Sequence, residues 1–235
     1  MLLRSTLLLA LVLGAAACGG DDDGPTESEF RETANAVCVR ANAALMRMPL
    51  PETEDEARDS GAEFERAREA RWKALRDEVE APESLRARFD RAVERRDWSG
   101  LGDLGLDRCA TEGVAAFAGG AAWAKRVEPA CVRLLGAMTR ETTLTPAEWT
   151  TSFADGLRRI ARRFGASGPP REAAPAAQAA MRSMRSAARF LERVVAGRAT
   201  FDPLDPDPSI VRGEAALNLL DVGECGDLYP VLMDE

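Results

Sequence analysis

The chain has no histidine among its 235 residues, and this absence removes much of the usual catalytic chemistry. Neither a Ser-His-Asp nor a Cys-His site can be built without imidazole, and most zinc hydrolase templates are excluded with them. No Cys-x-x-Cys pair is present either, which argues against dithiol redox catalysis. Lysine occurs only at Lys73 and Lys125, so the basic residues are almost all arginine. We therefore predict no catalytic residues, no cofactor and no metal site.

Long apolar runs are also scarce, and the single clear one extends from Leu7 to Ala17, directly before Cys18. It follows one basic residue, Arg4, and is shorter than the roughly 20 residues that a membrane-spanning helix needs. This layout is typical of a secretory signal, and Cys18 after three alanines resembles the processing site of a bacterial lipoprotein. We predict a signal peptide over residues 1–17 and lipidation of Cys18. A soluble secreted protein cleaved near Ala17 is the alternative.

The segment after Cys18 is polar and acidic, with Gly-Gly-Asp-Asp-Asp-Gly-Pro as its first part. It has no apolar periodicity, so residues 18–28 are predicted to form a lipidated, flexible tether. The expected location is the cell envelope, on the outer face of the cytoplasmic membrane, where the lipid would make the membrane a partner. The formal net charge of −8 and the predicted export argue against a nucleic-acid partner.

Four further cysteines remain, namely Cys38, Cys109, Cys131 and Cys225, and an even number in an exported protein favours two disulfides. An internal repeat guides their pairing. At a constant offset of 93 residues, Phe30 aligns with Trp123, Cys38-Val39-Arg40 with Cys131-Val132-Arg133, and Ala44-Leu45 with Ala137-Met138. A repeat of this kind indicates a duplicated unit.

The repeat predicts the disulfides Cys38–Cys109 and Cys131–Cys225, each within one unit. The alternative pairs Cys109 with Cys131 and Cys38 with Cys225, which would produce one domain. We predict helical module 1 over residues 29–112, helical module 2 over 113–228 and a tail over 229–235.

Apolar residues recur at three- and four-residue steps along both modules, which predicts an all-α fold. The second helix is expected from Glu54 to Glu80, with Phe64 among its inward residues. Thr145-Pro146-Ala147-Glu148 is a capping box with proline at the first helical position, and it predicts a helix start. The fold class is therefore two tandem, disulfide-stapled helical bundles after a signal and a tether.

Each module ends with an apolar turn before its second cysteine, Leu104 to Cys109 in the first and Leu220 to Cys225 in the second. Because it contains the sequence Leu-Gly-Leu, the first turn resembles those of uncharacterised all-helical envelope lipoproteins of high-GC bacteria, whose modules carry paired cysteines. The second turn has the cysteine but lacks the Leu-Gly-Leu sequence. This resemblance implies a fold and a location, and it brings no catalytic residues.

Arginines are concentrated between Arg158 and Arg198, where only Glu172 and Glu192 are acidic. The candidate anion-binding surface consists of Arg158, Arg159, Arg162, Arg163, Arg182, Arg185, Arg189 and Arg193. It would suit an anionic envelope component or an acidic protein partner. The alternative is a solvated helix face that the acidic segment from Asp202 to Glu235 neutralises.

Acidic residues offer two further candidate sites. Asp202, Asp205 and Asp207 could ligate calcium, but their spacing does not match an EF-hand and turn formation is favoured. Paired carboxylates could in principle hydrolyse glycosidic bonds. We predict a lipid-anchored, non-enzymatic binding or interaction module of unknown ligand. The alternatives are a carboxylate-dependent envelope hydrolase and a passive structural protein.

Overall fold

The computed structural model describes residues 24–140 and 143–233, and these residues form helices and connecting turns without a strand. The α-helices are α1 (Glu27–Leu45), α2 (Glu54–Glu78), α3 (Glu83–Arg95), α4 (Trp98–Gly102), α5 (Gly120–Met138), α6 (Pro146–Ala166), α7 (Ala174–Val195), α8 (Pro208–Leu220) and α9 (Pro230–Met233). Two 3₁₀ helices span Gly113–Ala116 and Gly223–Leu228. The all-helical prediction is confirmed for this part of the chain. The predicted signal and Cys18 lie outside the described residues.

Threonine side chains start three of the long helices. The side-chain oxygens of Thr26 and Thr145 each accept a hydrogen bond from the backbone N–H of the glutamate three residues later, which is Glu29 or Glu148. The carboxylate of that glutamate in return accepts a hydrogen bond from the threonine backbone N–H. Thr53 caps α2 in a similar way. These bonds satisfy N–H groups that the first helical turn leaves free, and they lower the pKa of Glu29 and Glu148. The capping box predicted at Thr145 is confirmed.

Helices α1 to α4 surround the smaller of two apolar cores, here called the N-terminal core. It consists of Phe30, Ala34, Val37, Cys38, Trp72, Leu75, Val79, Ala81, Leu85, Phe89, Ala92, Val93, Leu101, Leu104, Leu106 and Cys109. Phe30 of α1 packs edge to face on Phe89 of α3, with ring centroids 5.2 Å apart. Cys38 is bonded to Cys109, which ties the turn after α4 to α1.

Helices α5 to α9 surround the larger, C-terminal core. It consists of the buried apolar residues from Val114 to Leu232 other than Ala116 and Val211, together with Ala43 of α1 and Met46 directly after it. Trp123 of α5 packs edge to face on a phenylalanine of α6, with ring centroids 5.1 Å apart. Alanines line the buried face of α7, which allows α6 and α8 to approach it closely.

The two disulfides are built alike. Cys131 is bonded to Cys225 as Cys38 is to Cys109, and the Cα atoms are 5.1 Å apart in both pairs. Four residues before the second cysteine, the backbone is left-handed at Gly105 (φ 75°) and at Asp221 (φ 49°). The flanking apolar residues are buried in both turns: Leu104, Leu106, Leu220 and Val222. The disulfide prediction therefore holds in the structure, and the alternative pairing does not occur.

Three boundaries differ from those expected. Helix α1 begins at Glu27, within the predicted tether. Ala43 and Met46 lie in the C-terminal core, so the end of α1 contributes to both cores rather than to the first alone. The predicted tail at 229–235 is wrong for its described part, because Tyr229 and Leu232 are buried in the C-terminal core.

Candidate functional site

A cleft of about 660 Å³ lies between α2 and α8, with the loop that follows α1 along one side. One face of α2 contributes residues at helical spacing: Glu54, Ala57, Arg58, Gly61, Phe64, Glu65 and Arg68. One face of α8 contributes Val211, Glu214, Ala215, Asn218 and Leu219. Because an α-helix rises 1.5 Å per residue, the α2 side of the cleft is about 21 Å long from Glu54 to Arg68.

Apolar atoms provide more of the lining surface of the cleft than polar atoms do. The loop contributes Met46, Met48 and Leu50, while Phe64 stands on α2. Phe64 was expected to face the core of the first module. It lies outside the N-terminal core instead, half-buried in the cleft wall, with the Arg68 guanidinium 4.7 Å from its ring centre.

A buried charge network borders one end of the cleft. Arg71 is fully buried, and its guanidinium donates to Asn42 Oδ1 and to Glu112 Oε1, both at 3.1 Å. The ring of Trp98 lies 3.8 Å below the same guanidinium. Burial lowers the pKa of Arg71 to about 10, although the charge of Glu112 opposes this shift. Arg71 remains a cation at neutral pH and fixes the position of Glu112 in the cleft wall.

The other end of the cleft holds carboxylates without such support. Glu214 is half-buried, and burial together with the negative charge of Glu54 raises its pKa. The neighbouring arginines are engaged elsewhere, because Arg58 pairs with Asp55 at 2.9 Å and Arg212 pairs with Glu52. Glu54 and Glu214 therefore differ from Glu112, whose carboxylate is paired with two arginines.

The eight arginines of the predicted anion-binding surface do not behave as one set. Arg158 is engaged by two carboxylates, Asp155 at 3.1 Å and Glu192 at 2.5 Å, and these bonds raise its pKa. Arg193 lies 3.8 Å from Asp207 and next to the ring of Phe190.

Three others contact uncharged groups or line a smaller cavity. Arg163 donates to the Arg126 carbonyl at 3.1 Å, and Arg189 donates to Ser186 Oγ at 2.9 Å. Arg159 lines a separate cavity of about 320 Å³ between α5 and α6.

The remaining three arginines, Arg162, Arg182 and Arg185, are exposed and have no ion pair within residues 24–140 and 143–233. In this part of the chain the acidic C-terminal segment neutralises the arginine face at one point only, Arg193 with Asp207. The predicted neutralisation of the whole face is therefore not found there.

The aspartates considered as calcium ligands form turns and caps. Asp202 accepts from the Leu204 backbone N–H and Asp207 from the Ser209 backbone N–H, each at 2.9 Å. Across the described residues, no cluster of three or more acidic, cysteine or histidine side chains has a geometry that could hold a metal ion. Nor does any helix in that part have the length and apolarity to cross a bilayer.

Searches of protein-family models, of curated proteins and of solved structures found no match to this chain. The cleft must therefore be interpreted from its own residues. Sequence reasoning missed it because its two walls are more than 140 residues apart in the chain. The one local signal was the loop from Met46 to Pro51, which combines methionines and prolines where a helix connection is normally polar.

Proposed function

We propose that this chain is an exported, lipid-anchored protein of the cell envelope that binds a small ligand in the cleft between α2 and α8. In this proposal the two cores belong to tandem modules that arose by duplication, and Cys18 carries the lipid. The cleft is the observation that supports binding. Its volume falls within the range of small-molecule sites, and its lining combines apolar surface with charged side chains.

Two disulfides support the export part of the proposal. Such bonds persist in oxidising compartments and are rare in the bacterial cytosol. Each joins segments that are far apart in sequence, 71 residues in the first case and 94 in the second. Reduction would therefore release long loops and destabilise the fold. This dependence on oxidised cysteines is consistent with a location outside the cytoplasm.

A titration with N-phenyl-1-naphthylamine, a neutral apolar dye that fluoresces when shielded from water, tests binding directly. We expect saturable binding with one site per chain. Ala215→Trp should abolish it, because an indole at this half-buried position of α8 would fill the cleft. Gln178→Trp, which places an indole on the exposed side of α7, is the matched control and should leave binding unchanged.

Two results would contradict the binding proposal. The first is the absence of saturable dye binding by the folded protein, which would favour a passive structural role. The second is equal binding by Ala215→Trp and the wild type, which would place the dye outside the cleft.

A carboxylate-dependent hydrolase is the second candidate, and one observation favours it. Glu214 has a raised pKa beside Glu54 in the cleft, and glycoside hydrolysis needs one protonated and one ionised carboxyl group. Chromogenic aryl glycosides provide the assay. A hydrolase predicts turnover that both Glu54→Gln and Glu214→Gln abolish, whereas a binding protein predicts none.

A surface contact with an anionic envelope component remains a prediction for the arginine face. Reversal of Arg159, Arg163, Arg182 and Arg189 to glutamate should abolish sedimentation with vesicles of phosphatidylglycerol, because the reversed charges would repel the headgroups. Unchanged sedimentation would remove the arginine face from consideration.

A further inference from the structure

A second cavity, of about 320 Å³, lies between α5 and α6 and shares no lining residue with the cleft between α2 and α8. Leu134, Met138 and Ile160 form an apolar part of its wall, and Arg133 and Arg159 also line it. Its volume lies at the lower end of the range for small-molecule sites. Arg159 belongs to the predicted anion-binding surface, whereas Arg133 was not part of that prediction.

The packing of α5 on α6 places these two arginines on opposite walls of the cavity. The helices are antiparallel and approach closely at Gly156 of α6, where a Cβ would lie 2.3 Å from a methyl carbon of Leu134. Arg133 precedes Leu134 by one residue, and Arg159 follows Gly156 by three. The two Cα positions are therefore offset by only about 3 Å along the helix axes. One anionic group between the walls can contact both side chains.

No carboxylate compensates these two charges within residues 24–140 and 143–233. Neither arginine has an ion-pair partner there, and none of the described residues that line the cavity is acidic. The acidic residues of α5 and α6 are engaged elsewhere: Glu128 lies against Gly223, Glu148 bonds to Thr145, and Asp155 pairs with Arg158. In this part of the chain, the cavity therefore combines an apolar wall with uncompensated positive charge.

We infer that this cavity binds an amphipathic carboxylate, with the carboxylate group between Arg133 and Arg159 and a short hydrocarbon chain against Leu134, Met138 and Ile160. Guanidinium groups bind carboxylates through charge-assisted hydrogen bonds, which are stronger than those between neutral groups. An inorganic anion would leave the apolar wall uncovered, and a neutral hydrocarbon would gain nothing from the two arginines. The inference goes beyond the proposed function, because it concerns a separate site.

Isothermal titration calorimetry with octanoate, octanol and acetate tests the inference, because octanol lacks the charge and acetate lacks the chain. The titrations use the full folded Ala215→Trp chain, in which the cleft between α2 and α8 is filled and cannot contribute. We expect octanoate to bind about tenfold more tightly than octanol, a ratio typical of one charge-assisted contact, and acetate to bind most weakly. The double substitution Arg133→Gln/Arg159→Gln should remove most of the preference for octanoate over octanol.

The matched control is Arg182→Gln/Arg185→Gln, which removes two exposed arginines of α7 outside the cavity and should preserve that preference. Circular dichroism verifies folding, and the same substitutions are compared in the wild-type chain, so that the result does not depend on Ala215→Trp.

Four results would overturn the inference. Octanoate could bind no more tightly than octanol, or no more tightly than acetate. The preference for octanoate could survive Arg133→Gln/Arg159→Gln, or it could be lost equally in the control, which would indicate a general attraction to surface arginines. None of these results bears on the cleft between α2 and α8, which the dye titration tests separately.

Discussion

The N-terminal and C-terminal cores are closed by disulfides with the same Cα separation, 5.1 Å, yet the C-terminal core has more than twice as many buried residues. In both, an aromatic residue eight positions before the first cysteine packs edge to face on a phenylalanine. In both, the second cysteine follows an apolar turn whose backbone is left-handed four residues before that cysteine, at Gly105 and at Asp221. The comparison shows that the same combination, a disulfide preceded by an apolar turn, occurs in cores of very different size. The smaller core should depend more on its disulfide for stability.

Removal of each disulfide is the strongest test of this difference. The chain-entropy model gives about 4 kcal/mol for either loop, because 71 and 94 residues differ little on a logarithmic scale. The double variants Cys38→Ala/Cys109→Ala and Cys131→Ala/Cys225→Ala should therefore lose similar global stability in chemical unfolding. Their local behaviour should differ, because the N-terminal core has less apolar surface to hold it together.

Hydrogen exchange measures that local difference. Without Cys38–Cys109, α1 to α4 should exchange much faster while α6 and α7 stay protected. Without Cys131–Cys225, α6 and α7 should remain the most protected elements. Identical exchange patterns in the two double variants would refute the claim that core size decides the response.

Arg71 provides the next largest effect and has no counterpart in the C-terminal core. Arg71→Met would leave Asn42 and Glu112 without this buried partner, and breaking a buried ion pair typically costs about 3 kcal/mol of unfolding free energy. Lys73→Met, at an exposed position of the same helix, is the control and should change stability by less than about 0.5 kcal/mol. If Arg71→Met proves as stable as the wild type, apolar packing replaces the network and the core does not need it.

The fold was largely predictable because its determinants are local or repeated. Helical spacing of apolar residues indicated the helices, the Thr145 capping box fixed the start of α6, and the 93-residue offset led to the disulfide pairing that the structure shows. Tyr229 was missed because a position near the chain end carries no periodic signal. Its ring fills space beside Gly213 of α8, where a Cβ would lie 2.4 Å from the ring.

The candidate site was much less predictable than the fold. The arginines were conspicuous because they are close together in sequence, but the structure engages Arg158 and Arg193 with carboxylates. The cleft depends on α2 meeting α8, a long-range contact that no local pattern specifies. Phe64 has the helical spacing of the residues in the N-terminal core and nevertheless lines the cleft. Periodicity predicts which residues share a helix face, but it does not predict which other element packs on that face.

The two turns before the second cysteines allow a smaller, reciprocal test. Asp221 adopts a left-handed conformation that glycine tolerates better, so Asp221→Gly should stabilise the chain by about 1 kcal/mol. Gly105→Asp should destabilise it by about the same amount. Thermal unfolding measures both. Effects of the same sign would show that the turns are not equivalent.

Glu214 should give the smallest effect, and it depends on pH. Its folded-state pKa is raised, so ionisation is disfavoured in the folded chain and the cost appears as pH rises above about 4.5, the ordinary value for glutamate. Glu214→Gln should match the wild type below that pH and be more stable at neutral pH. Urea unfolding at pH 4 and pH 7 measures the difference. A variant less stable than the wild type at pH 7 would contradict the assigned burial.

The proposed export connects the disulfides with the proposed lipid anchor and the proposed binding function, and intact-protein mass spectrometry of the natively produced chain tests it most directly. The expected mass corresponds to a chain that begins at acylated Cys18 and takes up no alkylating reagent until it is reduced. A chain that retains Met1, carries no lipid and reacts with alkylating reagent at Cys38, Cys109, Cys131 and Cys225 without reduction would contradict export.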